Sequence, residues 1–267
     1  MKNLSIYAIV FILFLYPHSQ AKASSLKMTI QLLPWEEVTK VIPKGAKFDI
    51  VDVETGQRFS VQRRAGSDHA DVQPITHEDT KIMKEIYSGS WSWKRRAIIV
   101  AYDNQLVAAS MNGMPHGAGA LRNGFPGHFC VHFLNSTTHS SSTPDMAHQI
   151  MVFKAGGRIK EYLLTLSNQH LLEALAAVIN NDDQSILSLI LSQSDKHDFK
   201  IISTIDTIEY IHTEKMDVSE LFKKFEVKSK VYIKNAGPIV LTISFFFVKD
   251  PINNSWSILS QNLTEQL

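Results

Sequence analysis

The chain has 267 residues, with 27 Lys and Arg against 26 Asp and Glu, which gives a formal net charge of +1 at pH 7. A chain so close to neutral offers no extended basic surface, so the charge does not support nucleic acid as a partner. Its single cysteine excludes an intramolecular disulfide, and stability must therefore come from buried apolar side chains.

The N-terminal segment has the features of a secretory signal peptide. Lys2 precedes an apolar run over Ile6–Tyr16, and Ala21-Lys22-Ala23 has the small-residue spacing of a cleavage site. The run is shorter than the about 20 residues that a transmembrane helix needs. We predict a signal peptide over residues 1–23, whose removal would change the net charge from +1 to −1. The protein would then be secreted or associated with the cell envelope, outside the cytoplasmic membrane; an uncleaved anchor is the alternative.

Hydrophobic alternation and turn residues predict a β-rich domain over residues 28–160. The first predicted elements are a hairpin over Lys47–Arg64 and a helix after the N-cap Thr76. A strand pair over residues 95–115, which turns at Asp103-Asn104, and a strand over residues 127–134 follow. A polar loop over Asn135–Pro144 then leads to a helix with Thr143 as N-cap, Pro144 in its first position and Gly156 as its stop.

A second unit is predicted over residues 167–267. It begins with amphipathic helices broken at Asn180–Asp183. Four strand-like runs follow, over Phe199–Ile211, Phe225–Ile233, Ile239–Val248 and Ser255–Ser260. This order predicts a small α+β domain with helices on one face of an antiparallel sheet, and we interpret it as a binding or packing module. The predicted fold class is therefore a β-rich α+β domain of a catalytic type followed by a C-terminal α+β domain.

Histidines are concentrated in the first domain. Seven lie between positions 69 and 148, namely His69, His77, His116, His128, His132, His139 and His148. We expect His77 and His148 at the surface of predicted helices and His139 exposed in the polar loop. The other four remain as candidates for a functional site.

The only cysteine lies in the stretch NGFPGHFCVHF, between two of these histidines. In an extended strand His128, Cys130 and His132 share one face, and the intervening apolar residues share the other. Cys130 could be a buried apolar residue, a metal ligand or a nucleophile. Histidines two residues away on a strand lie about 6.5–7 Å off, so a base from another segment fits better. His116, which precedes Gly117, is that candidate. We expect an accessible thiol whose pKa an adjacent imidazolium lowers below about 8.5.

His116-Gly117 followed by Gly127-His128-Phe129-Cys130 resembles the catalytic domain of the L,D-transpeptidases, the YkuD-like family. That family has a β-rich fold, and its cysteine forms an acyl-enzyme with peptidoglycan stem peptides. The resemblance covers residues 47–157. It implies Cys130 as nucleophile, His116 as base and His128 as the motif histidine, with Gly127 in place of the motif serine. Phe129 stands where the motif has glycine, and His132 where it has arginine or asparagine. The implied activity is acyl transfer or hydrolysis on peptidoglycan peptides, without a cofactor.

Two other functions remain open from the residues alone. His69 and Asp71, together with His128 and His132, could hold zinc with an open water position, as in a zinc-dependent peptidase or amidase. Alternatively, the histidines are structural and the chain is a non-catalytic cell-wall binding module.

The stretch Trp91–Arg96 offers a cation–π platform or a clamp for a carboxylate. We therefore include Arg95, with Gly117 and Gly127, among the candidate substrate-binding residues. Tryptophans at the start of a strand more often belong to the core or its rim, with arginines such as Arg95 and Arg96 solvated.

Overall fold

The computed structural model describes residues 29–138, 141–192 and 196–260. The predicted signal peptide and His139 lie outside these described residues. Within the described residues, no helix combines the length and the apolar character that crossing a membrane requires.

The first part of the chain is dominated by strands. These are β1 (Ile30–Gln31), β2 (Lys47–Asp52), β3 (Arg58–Ala65), β4 (Ala70–Pro74), β5 (Arg95–Tyr102), β6 (Gln105–Asn112), β7 (Phe129–His132), β8 (Thr137–Thr138) and β9 (Ser141–Pro144). The helices among them are α1 (Trp35–Val41), α2 (His77–Ile86), α3 (Met146–Ala155) and α4 (Ile159–Thr165).

Six of these strands form a closed antiparallel barrel. The order around it is β2-β3-β4-β7-β6-β5, and the pairing of β5 with β2 completes the ring. β1 adds to the edge of β6 in parallel, outside the ring. Closure means that β7, which carries Cys130, has hydrogen-bonded strands on both edges.

The barrel interior is filled by the alternate residues that point inward. Phe48, Phe59, Val72, Ile98 and Phe129 belong to one buried apolar cluster to which every barrel strand contributes. Burial of apolar surface is worth roughly 25 cal/mol per Å², so this interior is the main source of the barrel's stability. Side chains at the other positions face outward, where helices and loops cover part of the wall.

The local sequence signals in this part are largely confirmed. The predicted hairpin forms β2 and β3, and the predicted strand pair forms β5 and β6 with positive φ at Asp103 and Asn104. Thr76 caps α2 in a capping box with Asp79. The prediction for α3 is wrong at its start: Asp145, not Thr143, is the N-cap, because the Asp145 carboxylate accepts a hydrogen bond from the backbone N–H of His148.

The second part of the described chain has helices first and a sheet afterwards. Its elements are α5 (Asn168–Asn180), α6 (Gln184–Ile190), β10 (Leu191–Ser192), α7 (Lys196–Ile202), β11 (Ile205–Asp217), β12 (Phe222–Ile233), β13 (Gly237–Lys249) and β14 (Trp256–Leu259). The sheet order is β10-β14-β13-β12-β11, with antiparallel pairing from β14 to β11. The predicted strand at Phe199–Ile211 is wrong in its first part, because Phe199 lies in α7.

Helix α3 joins the two parts. It packs against β5 and β6 on one side and against α5 on the other. The apolar cluster that contains Ile150 and Val152 runs from Ala97 on the barrel wall to the sheet of the second part. The end of α5 also reaches the barrel, since the backbone N–H of Arg95 donates to the Asn181 side chain at 2.8 Å.

Candidate active site

Cys130 lies on the outer face of the barrel wall. Phe129 and Val131 belong to the barrel interior, so Cys130 and His132 point the other way, as the alternation predicts. Asp71 on β4 lies directly opposite Cys130, and Ser110 on β6 lies opposite His132. Residues directly opposite in antiparallel strands share a face. Three strands therefore present one polar patch.

His116 is placed as a base for the thiol. Its Nε2 lies 3.2 Å from the Cys130 Sγ, and its Nδ1 lies 2.9 Å from the carbonyl oxygen of Met114. A carbonyl can only accept, so Nδ1 donates to it and Nε2 is the ring nitrogen that faces the thiol. Two backbone hydrogen bonds between His116 and His128 hold the loop in this position.

Two glycines allow the close approach of these two histidine segments. Gly117 has φ +59°, and a Cβ there would lie 2.3 Å from the His128 ring. Gly127 has φ +131°, and a Cβ there would lie 2.5 Å from the His116 carbonyl oxygen. Both positions therefore require glycine for packing. The assignment of Gly117 and Gly127 to substrate binding stays a prediction.

The expectation of an accessible thiol with a lowered pKa is wrong. Cys130 is only 4% exposed, and burial, reinforced by the charge and hydrogen bond of Asp71, raises its pKa to about 12. Arg95 opposes this rise but does not outweigh it. At neutral pH the thiol is protonated, so a role as nucleophile would require a base that takes its proton.

Alkylation should report this raised pKa. We expect the rate of labelling of folded protein by iodoacetamide to be low at pH 7 and to rise with pH through a midpoint above the free-thiol value of about 8.5, because only the thiolate reacts. Asp71→Asn should move the midpoint down, since it removes the charge that disfavours the thiolate. Asp68→Asn, an exposed carboxylate change nearby in the chain, is the matched control. An equal midpoint in Asp71→Asn and Asp68→Asn would contradict the role of Asp71.

Asp71 connects three of the predicted site residues. Its Oδ1 lies 3.2 Å from the Nε2 of His69, 3.7 Å from the Nε2 of His128 and 3.9 Å from the Sγ of Cys130. The Nδ1 of His69 lies 2.8 Å from the carbonyl oxygen of Thr137 and therefore carries a proton. The candidate metal ligands His69, Asp71 and His128 are thus brought together around one carboxylate oxygen.

Behind the thiol, three imidazoles form a stack. The His132 ring lies between those of His69 and His148, with centroid distances of 4.4 Å and 3.7 Å and an interplanar angle of 15° in each case. The Nδ1 of His148 lies 2.9 Å from the Ser110 Oγ. Burial, followed by the neighbouring imidazoles, holds the pKa of His132 well below its ordinary value, and burial and then Arg95 do the same for His148. Both rings are neutral at pH 7.

This stack corrects the expectation that His148 is a surface residue. The face of helix α3 that carries His148 packs against β5 and β6, and His148 is therefore buried. His77 is exposed on α2 as expected. One grouping of possible metal ligands among the described residues is His69, Cys130 and His132, which differs from the predicted set.

A cleft of about 470 Å³ lies on the other side of Trp93 from His116, and neither Cys130 nor His116 lines it. Trp93 lines it and contacts the His116 ring in a tilted arrangement at a centroid distance of 5.3 Å, and Arg95 lines it next to Asp145. Asn180 and Asp206 from the second part of the chain complete its far wall. The interpretation of both arginines as solvated is wrong: Arg95 is mostly covered, and Arg96 pairs with the fully buried Asp52.

Sequence reasoning missed Ser110 and Asn112 on β6. Asn112 lies opposite Arg95 on the neighbouring strand β5. If the register of β6 with β7 is continued by one residue, Asn112 also lies opposite Cys130 on β7. Its Oδ1 is buried without a hydrogen-bond partner among the described residues. The alternation of side chains along the predicted strand pair could have identified both residues, because it places Ser110 and Asn112 on the same face of the sheet as Arg95.

No protein-family model matches the chain, and no curated protein matches it.

Proposed function

We propose that this protein is a thiol-dependent acyl-transfer enzyme in which Cys130 is the nucleophile and His116 the general base. The observation that carries the proposal is the 3.2 Å contact between the Cys130 Sγ and the His116 Nε2, with the tautomer fixed by the Met114 carbonyl. This pair has the nucleophile–base–orienting-group arrangement of activated thiols.

The raised pKa of the thiol specifies how the pair works. Both partners are neutral before reaction, so the proton moves from Sγ to Nε2 as sulfur bonds to the acyl carbonyl carbon. The imidazolium then donates that proton to the departing amine, which leaves a thioester on Cys130. In the second half, His116 removes a proton from an acceptor amine or from water. That nucleophile displaces the thiolate, which recovers the proton. An amine acceptor gives transfer, and water gives hydrolysis.

The cleft supports a substrate with an anionic group near the scissile bond. One Nη of Arg95 donates to the Trp93 carbonyl at 3.0 Å and the other to the Asp145 carboxylate at 3.3 Å, while its Nε is buried without a hydrogen-bond partner among the described residues. A substrate carboxylate would compete with Asp145 for this guanidinium. Trp93, which is 51% exposed, lines the cleft with Arg95 and contacts the His116 ring, so its apolar surface connects the cleft to His116.

The resemblance to the YkuD-like L,D-transpeptidases supports peptidoglycan stem peptides as the substrate class. His116, His128 and Cys130, the residues that carry this resemblance, lie within one site. Phe129 replaces the motif glycine with its side chain buried in the barrel interior, so this departure leaves the outer face unblocked. We further propose that the barrel is the catalytic domain of a secreted enzyme, and that the C-terminal α+β domain completes the substrate cleft.

The test is formation of the acyl-enzyme. Metal-free protein is incubated with peptidoglycan stem peptides, and its intact mass is measured. We expect one acyl adduct, located on Cys130 by peptide mapping and absent from Cys130→Ala. Folded protein that forms no adduct with any stem peptide would contradict the proposal and favour a non-catalytic binding module.

A further inference from the structure

We propose that His69, Cys130 and His132 form a site for Zn²⁺, and that zinc bound there reversibly blocks the thiol. The binding site stands on the geometry alone, whereas the blocking role rests on the proposed function. The three residues are on two adjoining segments of the barrel wall, and all three are buried.

The ligand atoms are suitable in kind and in position. One imidazole nitrogen from each histidine and the Cys130 sulfur all lie within 4.8 Å of one another. Zinc binds imidazole nitrogen and thiolate sulfur at about 2.0–2.3 Å, which requires tetrahedral ligand atoms roughly 3.3–3.8 Å apart. Small side-chain rotations supply the difference.

The surroundings of His69 point to a cation. Its Nδ1–H donates to the Thr137 carbonyl, and its Nε2 lies 3.2 Å from the Asp71 Oδ1. An imidazole nitrogen and a carboxylate oxygen at that distance share a proton or have a metal ion beside them. A histidine whose other ring nitrogen donates to a backbone carbonyl is also the usual arrangement in metal sites, because it fixes the ligating tautomer. Asp71 is close enough to serve as a fourth ligand.

His132 provides a second, independent indication. Its Nδ1 is buried and has no hydrogen-bond partner among the described residues. A buried polar atom left without a partner is destabilising. A metal ion beside the ring would give this nitrogen the partner that it lacks.

Zinc and substrate would compete for the same sulfur. Binding converts the thiol to a zinc-bound thiolate and releases one proton to solvent. The zinc ion draws charge from the bound sulfur and so lowers its reactivity toward the acyl carbon, and His116 has no thiol proton to accept. Removing zinc with a chelator would restore the thiol without any change in covalent structure.

The experiment uses full-length, metal-free protein and two metals. Zn²⁺ is titrated by calorimetry, and Co²⁺ serves as a spectroscopic probe because thiolate ligation gives an ultraviolet charge-transfer band. We expect one zinc per chain, a charge-transfer band that is absent in Cys130→Ser, and affinity lowered at least tenfold in His69→Ala and in His132→Ala. His170→Ala, an exposed histidine on α5, should bind like the parent protein. Circular dichroism verifies that each variant is folded.

Two readouts separate the parts of the proposal. No stoichiometric binding, or binding that His69→Ala and His132→Ala leave unchanged, overturns the site. Zinc that binds there and leaves acyl-enzyme formation unaffected overturns the blocking role. Stoichiometric zinc with the expected variant pattern, in a protein that forms no acyl-enzyme even without metal, supports the site and removes the proposed function.

Discussion

Replacing His116 with alanine is expected to slow acyl-enzyme formation on Cys130 by about 10²–10⁴-fold, the usual contribution of a positioned general base. The reason is the raised pKa of the thiol: burial and Asp71 keep it protonated, so attack depends on the Nε2 acceptor 3.2 Å away. The measurement is the rate of appearance of the acyl adduct by intact mass spectrometry under single-turnover conditions.

Two controls make this result specific to the base. His170→Ala removes an exposed imidazole and should leave the rate unchanged. Adding free imidazole to His116→Ala should restore part of the rate, because a small base can enter the space left by the ring. A rate in His116→Ala within twofold of the parent protein would exclude His116 as the base.

Replacing Arg96 with alanine is expected to lower the free energy of unfolding by about 3–5 kcal/mol, the cost of leaving a buried charge unpaired. Arg96 binds both oxygens of Asp52, with Nε–Oδ1 at 2.7 Å and Nη2–Oδ2 at 2.8 Å, and Asp52 is fully buried. Burial alone would raise the pKa of Asp52, but the hydrogen bonds and charge of Arg96, with those of Thr55, hold it below its ordinary value.

Chemical denaturation at several pH values checks this prediction. Below pH 4 the difference in the free energy of unfolding between parent and variant should shrink. Protonation of Asp52 removes the unpaired charge in the variant, and it weakens the ion pair with Arg96 in the parent protein. Arg58→Ala is the matched control: Arg58 also pairs with an aspartate on β2, but its side chain is 63% exposed, so we expect a loss of about 0–1 kcal/mol. Equal losses in the two variants would contradict the importance of burial.

The features of the candidate site that depend on local sequence were predictable. Alternation along β7 places Cys130 opposite the apolar residues, and His116 next to Gly117 identifies a loop that can approach closely. Both conclusions use neighbouring residues only, and the contact of His116 with Cys130 agrees with them.

The features that depend on distant strands were not predictable. The periodicity of β4 does not predict that Asp71 pairs with Cys130, yet that pairing adds to the rise in the thiol pKa that burial causes. His148 was misplaced because α3 is apolar on nearly all sides, so its buried face cannot be determined from spacing. The N-cap of that helix was misassigned because Thr143 and Asp145 are both good caps, and the backbone geometry chooses Asp145.

Closure of the barrel through β7 has a consequence for how the protein is made. The pairing of Asp71 with Cys130 joins residues 59 positions apart, and contacts between such distant residues form slowly. Until the chain has been synthesised past His132 and the ring has closed, the barrel wall does not cover the thiol. Because the chain has no second cysteine, any disulfide formed in that interval joins it to another molecule. In an oxidising medium, the yield of reduced, folded protein therefore depends on how fast the ring closes relative to thiol oxidation.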